Sequence, residues 1–181
     1  MNLKVGVALP CHIKDLALLN YSFNSVNHLR PRPYHVAVDI NEGGLLREIR
    51  AKLFDFHFSQ GCDVVLSVDV DFWLFPKILS YVRRDVVISF AQLERNFSDV
   101  PQALVRLFWR RCWSGCYSIP ESVWLEIKGC WDGSDTNVKD LVGSYHFERR
   151  FSYFALRPRN TFSLVKVLKK RFEVKDSDEK H

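Results

Sequence analysis

Short apolar runs alternate with helix-like segments in the first part of the chain, and this alternation limits the fold more than any other feature. The runs at 3–9, 34–40 and 64–68 are rich in Val, Ile and Leu and have the length of strands. Between them, apolar residues recur at helical spacing in 16–26 and 46–56. Strand, helix, strand, helix, strand is the order of a parallel sheet with crossover helices. The sequence therefore predicts an α/β fold.

The pattern continues less regularly further along the chain. We predict a helix at 76–82 with a proline in its first turn, strands at 85–90 and 116–119, a helix at 120–127, a polar loop at 131–137 and a short helix at 138–142. No repeat or low-complexity linker divides the sequence. We expect one domain over residues 1–174, followed by a disordered tail at 175–181.

Size and composition are those of one globular domain. The chain has 181 residues, of which 47% are hydrophobic and 26% charged. No stretch approaches the ~18 apolar residues of a membrane-spanning helix. The five cysteines lack a C-x-x-C pair, which argues against zinc and favours a reduced protein. The first apolar run lacks a cleavage site, so we expect a cytoplasmic protein that is not secreted through a signal peptide.

Positive charge is concentrated near the end of the chain. The net charge is +5, and residues 147–171 contain eight Arg or Lys but only one acid, Glu148. Such an excess favours an anionic partner, although a solvated basic face is the alternative. Peripheral contact with an anionic membrane is therefore a hypothesis, with nucleic acid as the less favoured partner.

Two carboxylates, Asp69 and Asp71, follow the third apolar run. A buried strand does not hold unpaired charges cheaply, so both should lie where the strand emerges. Ligands of open α/β sheets bind at the carboxyl ends of strands. Two oxygen ligands there suit Mg²⁺ or Mn²⁺ carrying a diphosphate. The alternative is a strand that simply ends in an acidic turn.

Several segments together extend this interpretation. The first apolar run ends at Pro10, which is followed by Cys11 and His12. Residues 36–41 contain Asp39, and residues 66–71 contain the D-x-D. Residues 128–133 read Lys-Gly-Cys-Trp-Asp-Gly, and residues 138–141 read Val-Lys-Asp-Leu. In order and spacing, residues 3–145 resemble the inverting, family 2 type of nucleotide-sugar glycosyltransferases with the GT-A fold. The resemblance implies a Rossmann-like, three-layer α/β/α architecture with a mostly parallel central sheet.

The resemblance also implies a function and a set of site residues. It implies a metal-dependent transfer from a nucleoside-diphosphate-sugar donor to a hydroxyl of a glycan, lipid-linked or protein acceptor. The implied metal is Mn²⁺ or Mg²⁺, held by Asp69 and Asp71, and the implied catalytic base is Asp140, with Asp135 as the second candidate. The implied donor-binding residues are Pro10, His12, Asp39, Lys52 and Asp69, with Arg50 as a further candidate cation.

The acceptor side is less well defined by the sequence. Lys139 stands where the family has an acid before its catalytic Asp, and the chain is short for the fold. The acceptor-binding half is therefore expected to be reduced or supplied by another molecule. At most one or two of four tryptophans, Trp109, Trp113, Trp124 and Trp131, are predicted to contact the acceptor through their ring faces.

Other classes of protein fit the sequence less well. A nucleotidyltransferase and a dinucleotide-binding domain each need glycines directly after the first strand, and residues 10–14 contain none. A nucleic-acid-binding or assembly protein would use the basic residues Arg149, Arg150, Arg157 and Arg159 instead of the carboxylates. A relative that binds nucleotide sugar without turnover also stays open.

Overall fold

The computed structural model of the chain describes residues 2–92, 115–133, 135–142 and 145–156, without the side chains of residues 135, 136 and 139. In these ranges there are seven strands: β1 Val5–His12, β2 His35–Asn41, β3 Val64–Val68, β4 Phe72–Leu74, β5 Ile88–Gln92, β6 Cys116–Pro120 and β7 His146–Ala155. The α-helices found there are α1 Leu16–Asn27, α2 Leu46–Ser59, α3 Glu121–Ile127 and α4 Asp135–Val142, and short 3₁₀ turns lie at Ile13–Asp15 and Ile78–Tyr81. None of these helices combines the length and the apolarity that crossing a bilayer requires.

The strands form one sheet in the order β2-β1-β3-β6-β5-β7-β4. β1 pairs in parallel with β2 and β3, and β5 pairs in parallel with β7. β6 runs antiparallel to both β3 and β5, and β4 runs antiparallel to β7. Five strands therefore point in one direction and two oppose them. The predicted α/β fold with a mostly parallel central sheet is confirmed.

Helices cover both faces of this sheet. The side chains of β1 show this, because they alternate between two buried clusters, one on each face. Val7 and Leu9 lie in one buried cluster with Val26 of α1, whereas Ala8 lies in a second cluster with Phe54 of α2. A strand buried on both sides is typical of parallel sheets with crossover helices. Each fully buried large apolar side chain, such as Leu9 or Phe54, contributes about 1.5–3 kcal/mol. The three-layer arrangement places the carboxyl ends of β1, β2 and β3 together at one edge.

Several elements differ from the sequence prediction. The strand expected at 85–90 is β5, Ile88–Gln92, and the prediction of a loop at 131–137 was wrong in its second half, because α4 begins at Asp135. The helix expected at 76–82 is only the 3₁₀ turn Ile78–Tyr81, and it follows the short strand β4.

The long strand β7 was not predicted. Its sequence lacks a regular alternation of apolar and polar residues, because its register against β5 shifts. Phe90 pairs with Glu148, but the next residue of β5 pairs with Phe151, which leaves two arginines of β7 outside the pairing. Such a bulge hides the period of two that marks a strand.

A fully buried histidine, His57 of α2, makes the stability of the fold depend on pH. Its Nε2 lies 3.1 Å from the carbonyl oxygen of Val7, and a side chain at Gly6 would overlap its ring. Burial, with a smaller contribution from nearby His35, lowers the pKa of His57 from 6.5 to about 4. Between these values the unfolded chain binds more protons than the folded chain, so stability falls as the pH falls.

We therefore expect His57→Gln to reduce the pH dependence of unfolding. The amide of glutamine can still donate to the carbonyl of Val7 but does not titrate. Between pH 6.5 and pH 4, the wild type should lose about 3 kcal/mol more than the variant. Urea unfolding at several pH values measures this difference. Equal losses in the two proteins would contradict a neutral, buried His57.

Candidate functional site

The carboxyl ends of three neighbouring strands bring polar residues to one edge of the sheet. Pro10 of β1 is paired with Asp39 of β2, and His12 is paired with Asn41. The register of β3 against β1 brings the end of β3, and with it Asp69, to the same level. The amide of Asn41 also donates across this edge, to a β1 carbonyl 3.0 Å away. Four of the predicted donor-binding residues therefore lie at one edge.

Asp69 is bound by a buried arginine. Arg50 Nη2 of α2 donates to Asp69 Oδ1 over 2.7 Å, and Arg50 Nη1 donates to the carbonyl oxygen of Gly133 over 2.9 Å. The Arg50 side chain is 4% exposed and that of Asp69 is 26% exposed. A guanidinium at this depth requires a charged partner and further acceptors. Of the two cations that the resemblance implied for the donor, Arg50 contacts Asp69 and Lys52 contacts Asp39.

Two glycines fit closely around this ion pair. The backbone N–H of Asp69 donates to the carbonyl of Gly115 over 3.0 Å, and a Cβ on Gly115 would overlap Asp69 Oδ2. Gly133 has φ +93°, and a Cβ there would overlap the backbone of Arg47. A side chain at either position would displace a partner of Asp69 or Arg50. The Asp69 carboxylate is thus positioned on both sides, by Arg50 and by Gly115.

Asp71 lies two residues further along the chain and is half-buried. Its carbonyl oxygen accepts a hydrogen bond from the N–H of Leu156 over 2.6 Å, which joins the end of the D-x-D to the end of β7. In the described ranges, no three His, Cys, Asp or Glu side chains converge to form a protein cage for a metal. The residues do fit Mg²⁺ or Mn²⁺ bound through one or two carboxylates, with substrate phosphates as the other ligands.

The ends of β1 and β2 carry an ion pair near the surface. Lys52 Nζ lies 2.8 Å from Asp39 Oδ2, and the Lys52 side chain is 77% exposed while that of Asp39 is 14% exposed. His12 caps the 3₁₀ turn after β1, since its Nδ1 accepts from the backbone N–H of Lys14 over 3.1 Å. Asp39 and His12 thus lie near the ends of the neighbouring strands β2 and β1, and Lys52 contacts Asp39 rather than the D-x-D.

Asp140 lies on the exposed side of α4. Val138 of the same helix is 1% exposed and belongs to the core cluster around Phe54, so the helix has a fixed buried face. The loop before α4 contains Gly133, whose carbonyl binds Arg50. The helix that carries Asp140 is therefore connected to the Asp69 ion pair. Asp135, the second candidate base, begins α4, and its side chain is outside the described part.

Two of the four tryptophans considered for the acceptor side belong to the core, which agrees with the expectation that at most one or two of the four contact the acceptor. Trp124 and Trp131 are each 1% exposed. Their ring centroids lie 5.1 and 5.6 Å from that of Phe54, and Trp124 Nε1 donates to Asp55 Oδ1 over 2.7 Å. The remaining predictions at this end of the chain lie outside the described residues: Trp109, Trp113, the basic residues from 157 to 171, and the tail 175–181.

Comparison with known proteins identifies the fold but no sequence family. No protein-family model and no curated protein matches the sequence. Among solved structures, a glycosyltransferase involved in the glycosylation of the major capsid of PBCV-1 aligns with a TM-score of 0.53 and 10% identity, over 84% of this chain and 93% of that one. Residues 1–349 of TarS from S. aureus, in complex with UDP, align with a TM-score of 0.58 and 13% identity, over 84% of this chain and 60% of that one. The chain therefore has a glycosyltransferase-like fold.

Proposed function

We propose that the protein is a metal-dependent glycosyltransferase. It would move a sugar from a nucleoside-diphosphate-sugar donor to a hydroxyl of a glycan, lipid or protein acceptor, with inversion at the anomeric carbon. One observation carries the proposal: Asp39, Pro10 and Asp69 lie at the carboxyl ends of three adjacent strands, in a fold shared with glycosyltransferases. The UDP bound to TarS supports a nucleotide donor.

The nucleoside would lie against the ends of β1 and β2. Asp39 would accept hydrogen bonds from the base, beside Pro10 and His12. Lys52, which contacts Asp39, would exchange that carboxylate for an incoming phosphate. Asp69 would accept from the ribose, since Arg50 already holds one of its oxygens and orients the other.

The diphosphate would lie beside Asp71. Mn²⁺ or Mg²⁺ bound through Asp71, with Asp69 as an additional ligand, would supply positive charge to the leaving diphosphate. The neutralising effect of Arg50 on Asp69 supports Asp71 as the stronger ligand of the two. A cation that keeps most of its ligands on the substrate needs few carboxylates from the protein.

Asp140 would act as the general base. The acceptor oxygen forms a bond to the anomeric carbon while the bond from that carbon to the diphosphate oxygen breaks. The electron pair of the broken bond leaves with the nucleoside diphosphate, and the acceptor proton moves to the carboxylate of Asp140. The exposure of Asp140 supports this role, because an acceptor must approach from solvent.

Asp140→Asn is expected to lower transfer by at least about a hundredfold without changing donor binding. The amide keeps the shape of the carboxylate but cannot take the proton. Mass spectrometry of released nucleoside diphosphate, over a panel of UDP- and GDP-sugars with mixed acceptors, measures turnover. Asp135→Asn is the matched variant and should be close to wild type. Loss of turnover in Asp135→Asn alone would move the base to that residue, and donor binding without any turnover would indicate a non-catalytic relative.

A further inference from the structure

A cavity lies at the edge of the sheet where β1, β2 and β3 begin, opposite to the candidate functional site. Its volume is about 1000 Å³, which is enough to hold a small organic ligand. Six of the residues that line it are Lys4, Arg32, Tyr34, Gly61, Asp63 and Arg84. The length of β1 separates this cavity from His12 by about 23 Å. The cavity is therefore distinct from the proposed donor site.

The cavity has fixed walls and is open to solvent. The N–H of Tyr34 donates to the carbonyl of Val5 over 2.8 Å. The N–H of Asp63 donates to the carbonyl of Lys4, also over 2.8 Å. Tyr34 is 53% exposed, and a Cβ at Gly61 would meet no atom within 4 Å beyond its chain neighbours. The space between these residues is thus available to a ligand.

Positive charge exceeds negative charge on the lining of this cavity. The lining contains three cations, Lys4, Arg32 and Arg84, and one acid, Asp63, which leaves a net charge of +2. Asp63 Oδ2 already accepts from the backbone N–H of Lys4 over 2.8 Å and lies 2.9 Å from Arg84 Nη2. Lys4 Nζ lies 4.9 Å from the centre of the Tyr34 ring, and within the described ranges neither Lys4 nor Arg32 pairs with a carboxylate. An ammonium and a guanidinium are therefore available to an anion.

We propose that this cavity binds the phosphate group of a small phosphate monoester, at a site separate from the proposed sugar transfer. Such a group carries about −1.5 to −2 charges at neutral pH, which matches the net charge of the lining. The planar guanidinium of Arg32 suits two phosphate oxygens, and Lys4 supplies a second positive charge. The organic part of the ligand would lie against Tyr34 and the apolar side chains of Leu3 and Leu79. The alternative is a solvated basic edge that attracts every anion alike.

Isothermal titration calorimetry of the full chain with phenyl phosphate, without divalent metal, tests the cavity. We expect phenyl phosphate to bind at least about tenfold more tightly than benzoate, which has the same ring but a single negative charge. Lys4→Gln and Arg32→Gln should each weaken the binding of phenyl phosphate about tenfold, and Arg32→Glu should abolish it. Thermal unfolding of each variant confirms that it is folded.

The matched control is a neighbouring arginine outside the lining. Arg83 is 55% exposed and pairs with Asp85, so Arg83→Gln removes the same charge and should bind phenyl phosphate like the wild type. No binding of any phosphate monoester, equal binding of benzoate, or equal losses in Arg32→Gln and Arg83→Gln would overturn the proposal.

Two further arms identify the source of the ligand and separate this site from the donor site. Vesicles of phosphatidylcholine with phosphatidic acid present a phosphate monoester on a lipid. Sedimentation with them that Arg32→Gln reduces would assign the lipid as a source, and binding of phenyl phosphate alone would assign a soluble ligand. Asp71→Ala removes the proposed metal ligand and should bind phenyl phosphate like the wild type. Loss of that binding in Asp71→Ala would place the probe at the donor site and contradict the inference.

Discussion

Asp71→Asn is expected to reduce sugar transfer by about a thousandfold, one of the two largest effects that the structure predicts. In the proposed mechanism, the substitution removes a charge worth several kcal/mol to the binding of a cation at the departing diphosphate. The shape of the side chain and the hydrogen bond of the Asp71 carbonyl to Leu156 stay the same. Turnover measured against Mn²⁺ concentration should show that higher metal restores part of the activity.

A second aspartate provides the control for this substitution. The Asp85 side chain is 66% exposed and is paired with Arg83 at the surface, outside the candidate site. Asp85→Asn removes the same charge and should leave turnover within about twofold of the wild type. Equal activity of Asp71→Asn and the wild type at limiting Mn²⁺ would exclude Asp71 as a metal ligand.

Arg50→Met is expected to destabilise the fold by about 2–3 kcal/mol. Removing one partner of a buried ion pair leaves the other charge uncompensated, and the Gly133 carbonyl also loses its donor. The partial exposure of Asp69, at 26%, lets water solvate part of its charge and lowers the cost. Urea unfolding of wild type and variant measures the difference in the free energy of unfolding.

The control for Arg50 lies two residues further along the same helix. Lys52 is 77% exposed and pairs with Asp39, so Lys52→Met should change stability by less than about 1 kcal/mol. The double variant Arg50→Met/Asp69→Asn should lose less free energy of unfolding than the two single variants lose together, because both substitutions remove the same interaction. Full additivity, or equal effects of Arg50→Met and Lys52→Met, would contradict the buried ion pair.

The edge that carries the candidate site was predictable because parallel strands and their periodicity are local signals. The runs that became β1, β2 and β3 are apolar and end in polar residues, and parallel strands meet at one edge. Asp39, Asp69 and Asp71 could therefore be grouped before any coordinates. Their ligands and roles stay predictions, since strand order does not determine what binds there.

Arg50 was harder to identify because the buried face of α2 is rotated from the expected stripe. Phe56 was expected on the apolar stripe but is 42% exposed, whereas Phe54 and His57 are fully buried. Arg50 lies next to Ile49 and three residues before Leu53, which places it on the buried side of the helix. A charged residue within such a stripe signals a buried ion pair, and this signal was present in the sequence.

Aromatic content alone did not separate core from surface. Trp124 belongs to the buried face of α3, where it packs on Phe54, and nothing in the sequence distinguished it from the other three tryptophans considered for the acceptor side.

Thermal unfolding with nucleotide sugars tests the central claim most directly. With UDP- or GDP-sugar at about 100 times its Kd and Mn²⁺ present, the midpoint of unfolding should rise by about 5 °C or more. The rise should need both the metal and the nucleotide sugar, and Asp71→Ala should remove it. A rise that persists unchanged in Asp71→Ala, or no rise with any donor, would contradict a donor site at the carboxyl ends of β1, β2 and β3.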